Sequence, residues 1–180
     1  MNKKINNKAV GISKQAMIAA IYTVLSVALS AISFGSVQIR ISEALTLLPV
    51  FCLNNIWGVT IGCFLTNLIG FFTGANILGG LDMIFGTLAT LTAAVTTYAF
   101  RKIKFRNIPV LSIIPPIVYN AVVIGWELCM LINNGNFSPI IFWAQAISVG
   151  VGQLLSCGVI GVFMLKTIEK NTTLKEYLSR

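Results

Sequence analysis

The chain has 180 residues, 56% of them hydrophobic and only 10% charged, with a mean hydropathy of +0.86. Soluble domains run about 25% charged, so this chain has too little polar surface to coat a water-soluble globule. It has no His and no Gly-Lys dipeptide, which excludes imidazole nucleophile pairs, histidine metal sites and a phosphate-binding loop for ATP.

A basic segment, 1–14, carries Lys3, Lys4, Lys8 and Lys14 and opens the chain. The apolar run that follows, 15–34, exceeds the ~7–15 residue core of a cleaved leader and reads as a retained span. Ala28-Leu29-Ser30 is the weak cleavage-site alternative. Ala16, Ala20 and Thr23 fall at i, i+4, i+7, with Ala19 beside them. Such a small-residue face lets a second helix approach closely, within this bundle or from another membrane subunit.

Breaks at Gly35-Ser36, Asn54-Asn55, Gly74-Ala75-Asn76, Arg101 to Arg106 and Asn133 to Asn136 divide the rest. The predicted spans are 15–34, 42–54, 56–73, 81–100, 108–131 and 140–165. The fold class expected is an all-α integral membrane protein of six transmembrane helices, a single domain over 1–180 with a tail at 166–180. With both termini cytoplasmic, every basic residue except Arg40 falls on the inner side. These charges then serve topology and anionic lipid, and nucleic acid is not a partner. Cys52, Cys63, Cys129 and Cys157 lie in apolar runs without metal-ligand spacing and read as small buried hydrophobes.

The acids fall differently. Glu169 and Glu176 lie in the tail, but Glu43, Asp82 and Glu127 lie at or inside the outer ends of spans, together with Arg40. If span two is an α-helix, Glu43 stands ~16 Å above Asn54, near mid-membrane. A charge in hydrocarbon costs at least about 2.5–3.5 kcal/mol, so such residues face a partner or a cavity. Arg40 and Glu43 could pair locally and anchor span two. Asp82, after Gly79-Gly80-Leu81, could be an N-cap of span four. Even so, one arginine neutralises one acid, and two carboxylates remain for a cationic or donor-rich ligand. Asn76, Asn120, Trp126, Trp143 and Gln145 sit at the same level, and Phe34 and Gln38 lie on the first outer connection, 34–42, placed to close over a ligand. Trp143 is equally a membrane-interface residue. No catalytic residue, metal site or cofactor is expected.

Val37-Gln38-Ile39-Arg40-Ile41-Ser42-Glu43-Ala44-Leu45-Thr46-Leu47-Leu48-Pro49 resembles the signature of the queuosine-precursor S components of energy-coupling factor transporters, the QueT family. Gly62-Cys63 with Asn67, and Asp82 through Leu91, resemble that family's second stretch. The resemblance covers most of 12–165. It implies a non-enzymatic, substrate-binding subunit in a bacterial plasma membrane. Its ligand would be queuine or a 7-deazaguanine precursor, and its partners a transmembrane coupling subunit and two cytoplasmic ATPases. Ala16, Ala19, Ala20 and Thr23 would be the docking face. A 7-deazaguanine presents adjacent N–H donors that suit a carboxylate, and a side-arm amine that suits a second. An S component for thiamine or riboflavin, a small membrane enzyme, and an assembly factor without ligand are the rival readings.

Overall fold

The computed structural model describes residues 2–34, 39–105 and 108–179, with side chains from Lys8 onward. Helix α1 (Asn2–Ala28) is followed by a single turn, α2 (Ser30–Ser33), and by a 3-10 helix (Ile41–Val50). Then come α3 (Asn55–Thr73), α4 (Leu81–Phe100), α5 (Ile114–Ile132) and α6 (Pro139–Gln153). The last runs through a π-helical stretch (Leu154–Gly161) into α7 (Val162–Lys170), and α8 (Thr172–Ser179) closes the described chain.

Among the described residues, five segments are long and apolar enough to cross a membrane: Lys8–Ala28, Asn55–Thr73, Leu81–Phe100, Val110–Ile132 and Pro139–Lys170. The expected second span is the exception. It is the ten-residue 3-10 helix, too short to count with the others. A 3-10 helix rises ~2.0 Å per residue, so these ten residues reach ~20 Å where an α-helix would reach ~15 Å. Ser42, Glu43, Ala44, Thr46, Leu47, Leu48 and Pro49 are all buried, so this segment is a central post around which the long helices stand.

Glycines set the helix spacing. Gly58, Gly62 and Gly70 lie at intervals of four and eight on α3. A Cβ on Gly62 would stand 2.7 Å from Tyr22 Cβ, and one on Gly58 2.9 Å from Ile18 Cβ. That is the small-xxx-small contact of membrane helices, and it brings α1 against α3. Gly125 plays the same part between α5 and α6, where its Cβ would meet the Ala146 backbone at 2.8 Å.

The end of the bundle that carries the N-terminus is tied together by α8. Leu178 is buried with Ile18, Leu48, Ile56, Val59, Ala94 and Ile168. Its carbonyl accepts hydrogen bonds from Asn55 Nδ2 at 3.1 Å and Lys14 Nζ at 3.4 Å. Asn55 Nδ2 also donates to the Leu48 carbonyl at 3.0 Å. Orphan carbonyls at helix ends need such donors, and a cation there complements the helix dipole. Lys14, expected to serve topology and anionic lipid with the other inner-side charges, is a buried cap on the Leu178 carbonyl.

Candidate ligand-binding site

At the opposite end, the start of α4 and the end of α5 converge on the 3-10 helix. Arg40, just before that helix, is buried and turns away from Glu43. Its Nη2 lies 3.3 Å from Asp82 Oδ2, its Nη1 donates to Asn67 Oδ1 at 3.2 Å, and its guanidinium carbon stands 5.2 Å from the centre of the Phe34 ring. Asp82 Oδ2 also accepts from Asn76 Nδ2 at 2.8 Å. Asn67 Nδ2 donates to the Asp82 carbonyl at 2.8 Å, tying α3 to α4.

Asp82 is the second residue of α4, but its side chain caps no backbone N–H of that helix. It lies back along the helix into the notch left by Gly86. A Cβ on Gly86 would be 1.9 Å from Asp82 Oδ1 and 3.0 Å from its Cγ. The glycine is therefore what admits the carboxylate to this position.

Glu43 has its own partners. Tyr22 donates its hydroxyl to Oε1, and Asn120 Nδ2 donates to Oε2 at 3.2 Å. The backbone carbonyl of Glu43 accepts from Thr46 Oγ1 at 2.6 Å and Cys157 Sγ at 3.3 Å. Both carboxylate oxygens are thus bonded to side chains of α1 and α5, in a role that organises the bundle.

Glu127 differs from both. It is only 2% exposed, yet neither carboxylate oxygen has a hydrogen-bond partner among the described residues. Asp82 and Arg40 are the charged groups that act on it. The Arg40 Nε–H is likewise buried and unpartnered. Buried polar groups are nearly always hydrogen-bonded, and an orphan of this kind needs an explanation. Asp82 Oδ1 is buried and unpartnered as well, so Arg40, Asp82 and Glu127 together hold three acceptors and one donor without a partner among the described residues.

The family model described as "QueT transporter" matches residues 12–170. The chain belongs to the QueT transporter family. A curated relative, the "Queuosine precursor transporter QueT" of Lactococcus lactis subsp. cremoris, is 40% identical over 79 residues, which is 42% of this chain and 47% of the relative. The chain thus spans about half the length of that relative. No solved structure matches the chain.

In this QueT-family chain the expected site residues are distributed unevenly. Phe34, Arg40, Asn76 and Asp82 form one contact group and Glu43 with Asn120 a second, while Glu127 is bonded to neither among the described residues and feels the charges of Asp82 and Arg40. Arg40 pairs with Asp82 across 42 positions and not with its neighbour Glu43. Trp126 is 38% exposed and meets the Phe85 ring edge-on at 5.6 Å. Adjacent helix residues point about 100° apart, so Glu127 faces in while Trp126 faces the rim. Trp143 is 62% exposed and turned outward, with its ring 5.2 Å from Phe142. Gln145 is half-buried on α6 and makes no hydrogen bond to the cluster among the described residues. Gln38, with residues 35–37 of the 34–42 connection, lies outside the described residues.

On α1, Ala16 and Ala20 are exposed and Ala19 is buried. These alanines line a groove of about 990 Å³ between α1 and α3, with Gln15, Trp57 and Ile61. Thr23 turns its hydroxyl inward, donating to the Ala19 and Gly62 carbonyls at 2.9 and 3.2 Å.

Tyr22, Asn67 and Gly86 take part in these contacts and are not among the expected site residues, although Asn67 and Gly86 lie in the family-like second stretch. Tyr22 shows a faint signal, since Ser26 follows it by four on one face of an apolar helix. Ser26 Oγ lies 2.5 Å from Ser42 Oγ, so that face reads as polar and inward. Asn67, the one amide inside span three, carries a similar signal. Gly86 has none, because only the Asp82 side-chain conformation makes it necessary.

Proposed function

We propose that the chain is the substrate-capturing subunit of an importer for a queuosine precursor. It binds a 7-deazaguanine or queuine at the Arg40–Asp82–Glu127 cluster and performs no chemistry on it. The observation that carries the reading is Glu127, a carboxylate buried at the cluster with both oxygens open. Family membership favours transport over the rival enzyme and assembly readings, and the name of the Lactococcus relative favours the ligand class.

With both termini cytoplasmic, the cluster faces outward and the α8 end faces inward, which accounts for the one-sided basic residues. Energy comes from partners of the energy-coupling factor type, a transmembrane coupling subunit and two cytoplasmic ATPases. The groove at Ala16, Ala19 and Ala20 supports a docking face near the inner side, because small side chains let a partner helix approach closely. Thr23 contributes by fixing α1 to α3 behind that groove.

Tryptophan-fluorescence titration of the purified protein with queuine and 7-aminomethyl-7-deazaguanine tests the ligand. A saturable change with thermal stabilisation is expected, and its absence for both refutes the substrate. Ala16→Trp with Ala20→Trp is expected to leave binding intact and abolish uptake. Uptake at the normal rate refutes the docking face.

A further inference from the structure

The three intramembrane acids are not equivalent, and their inequality assigns the ligand's orientation. Glu43 is saturated by Tyr22 and Asn120. Asp82 has Oδ2 on Arg40 and Asn76, and Oδ1 pressed into the Gly86 notch where a Cβ would sit 1.9 Å away. Among the described residues, Glu43 has no oxygen left over, and the one unpartnered oxygen of Asp82, Oδ1, occupies the space where a Gly86 Cβ would stand. Glu127 has two unpartnered oxygens there, and Arg40 is held by Asp82, Asn67 and the Phe34 face with its Nε–H left over.

We propose that Glu127 and the Arg40 Nε–H together read the edge of a 2-amino-oxo heterocycle. Glu127 accepts the ring N–H and the 2-amino N–H in a fork, and Arg40 donates to the ring oxygen. The acceptor–acceptor–donor order of the protein complements the donor–donor–acceptor order of that edge. This rests on the reading of the cluster as the precursor site and goes beyond it. It makes the base edge the determinant of specificity and the side-arm amine secondary. A heterocycle lacking the 2-amino group leaves one Glu127 oxygen buried and bare. Sites built to hydrogen-bond a polar group reject analogues that lack it far more strongly than apolar pockets reject a missing methylene.

The test is a set of Kd values for wild type and Glu127→Gln. The ligands are 7-aminomethyl-7-deazaguanine, 7-deazaguanine without the arm, and the armed analogue without the 2-amino group. Wild type is expected to bind the first two within a few-fold of each other. It should bind the third roughly ten- to a hundredfold more weakly, the range expected for one lost hydrogen bond to a charged acceptor. Glu127→Gln should lose the preference for the 2-amino group. Unliganded, it should unfold at or above the wild-type temperature, because the carboxylate has no partner to lose. Glu127→Met serves as the second variant if the glutamine variant is not obtained folded. Retention of the 2-amino preference in either variant overturns the assignment, as does a wild type that discards the armless ligand but keeps the deaminated one. In those two cases the proposed function survives. A wild type that binds none of the three overturns both.

Discussion

Gly86→Ala reverses the usual effect of its own substitution type. In an ordinary helix interior, replacing Gly by Ala gains about 1 kcal/mol. Here the new methyl carbon would lie 1.9 Å from Asp82 Oδ1, 3.0 Å from its Cγ and 3.1 Å from Asn67 Nδ2. The carboxylate must leave the notch, taking with it the 3.3 Å contact to Arg40 and the 2.8 Å bond from Asn76. Breaking a buried ion pair costs about 3–5 kcal/mol. The low end of that range, less the propensity gain, leaves a net loss of ~2 kcal/mol. For a chain of this length the midpoint of thermal unfolding should fall by roughly 4–8 °C. The assay is thermal unfolding of the purified protein, repeated in an Arg40→Met, Asp82→Ala background. Without the ion pair there is nothing to displace, and Gly86→Ala should there be neutral or stabilising by up to ~1 kcal/mol. A stabilising effect in the native background, or the same loss in both backgrounds, refutes the idea that Gly86 exists to seat Asp82.

Three other outcomes follow from single contacts. Tyr22→Phe strips the donor from Glu43 Oε1 and should cost about 1.5–3 kcal/mol, the range for a hydrogen bond to a charged group; an unchanged unfolding midpoint contradicts the structural role of Glu43. Gly62→Leu drives a side chain against Tyr22 Cβ and the Ala19 backbone and should cost about 1–3 kcal/mol or more by forcing α1 from α3; wild-type stability in a denaturation series counts against that close approach. Asn55→Ala leaves the Leu48 and Leu178 carbonyls without their amide donor, at about 1–3 kcal/mol, and should expose α8 to limited proteolysis. A tail as resistant as wild type would show that Leu178 packing and the Lys14 bond hold it without Asn55.

Much of the candidate site was legible because the membrane makes charge conspicuous. Arg40, Glu43, Asp82 and Glu127 stand out in apolar surroundings, and each is buried. Their pairing was not legible. Arg40 and Glu43 are three apart and invite a local bond, yet Arg40 Nη1 and Nη2 reach Asn67 and Asp82. The span over 42–54 read as one more α-helix because its composition is that of the others. Its 3-10 form follows from packing as a buried post, a role that composition does not record.

The sequence by itself determined an all-helical membrane chain and the positions along it where unusual charges stand, because burial in hydrocarbon is a property of residue type and run length. Only the tertiary structure decided which acid is bonded, which is notched and which is open. Those outcomes depend on how closely helices approach at Gly62 and Gly125, on the Asp82 side-chain conformation that Gly86 admits, and on bonds such as Tyr22–Glu43 and Asn120–Glu43, 21 and 77 positions apart. Hydrogen bonds form or fail over fractions of an ångström, and that distance is set by packing and not by the order of residues along the chain.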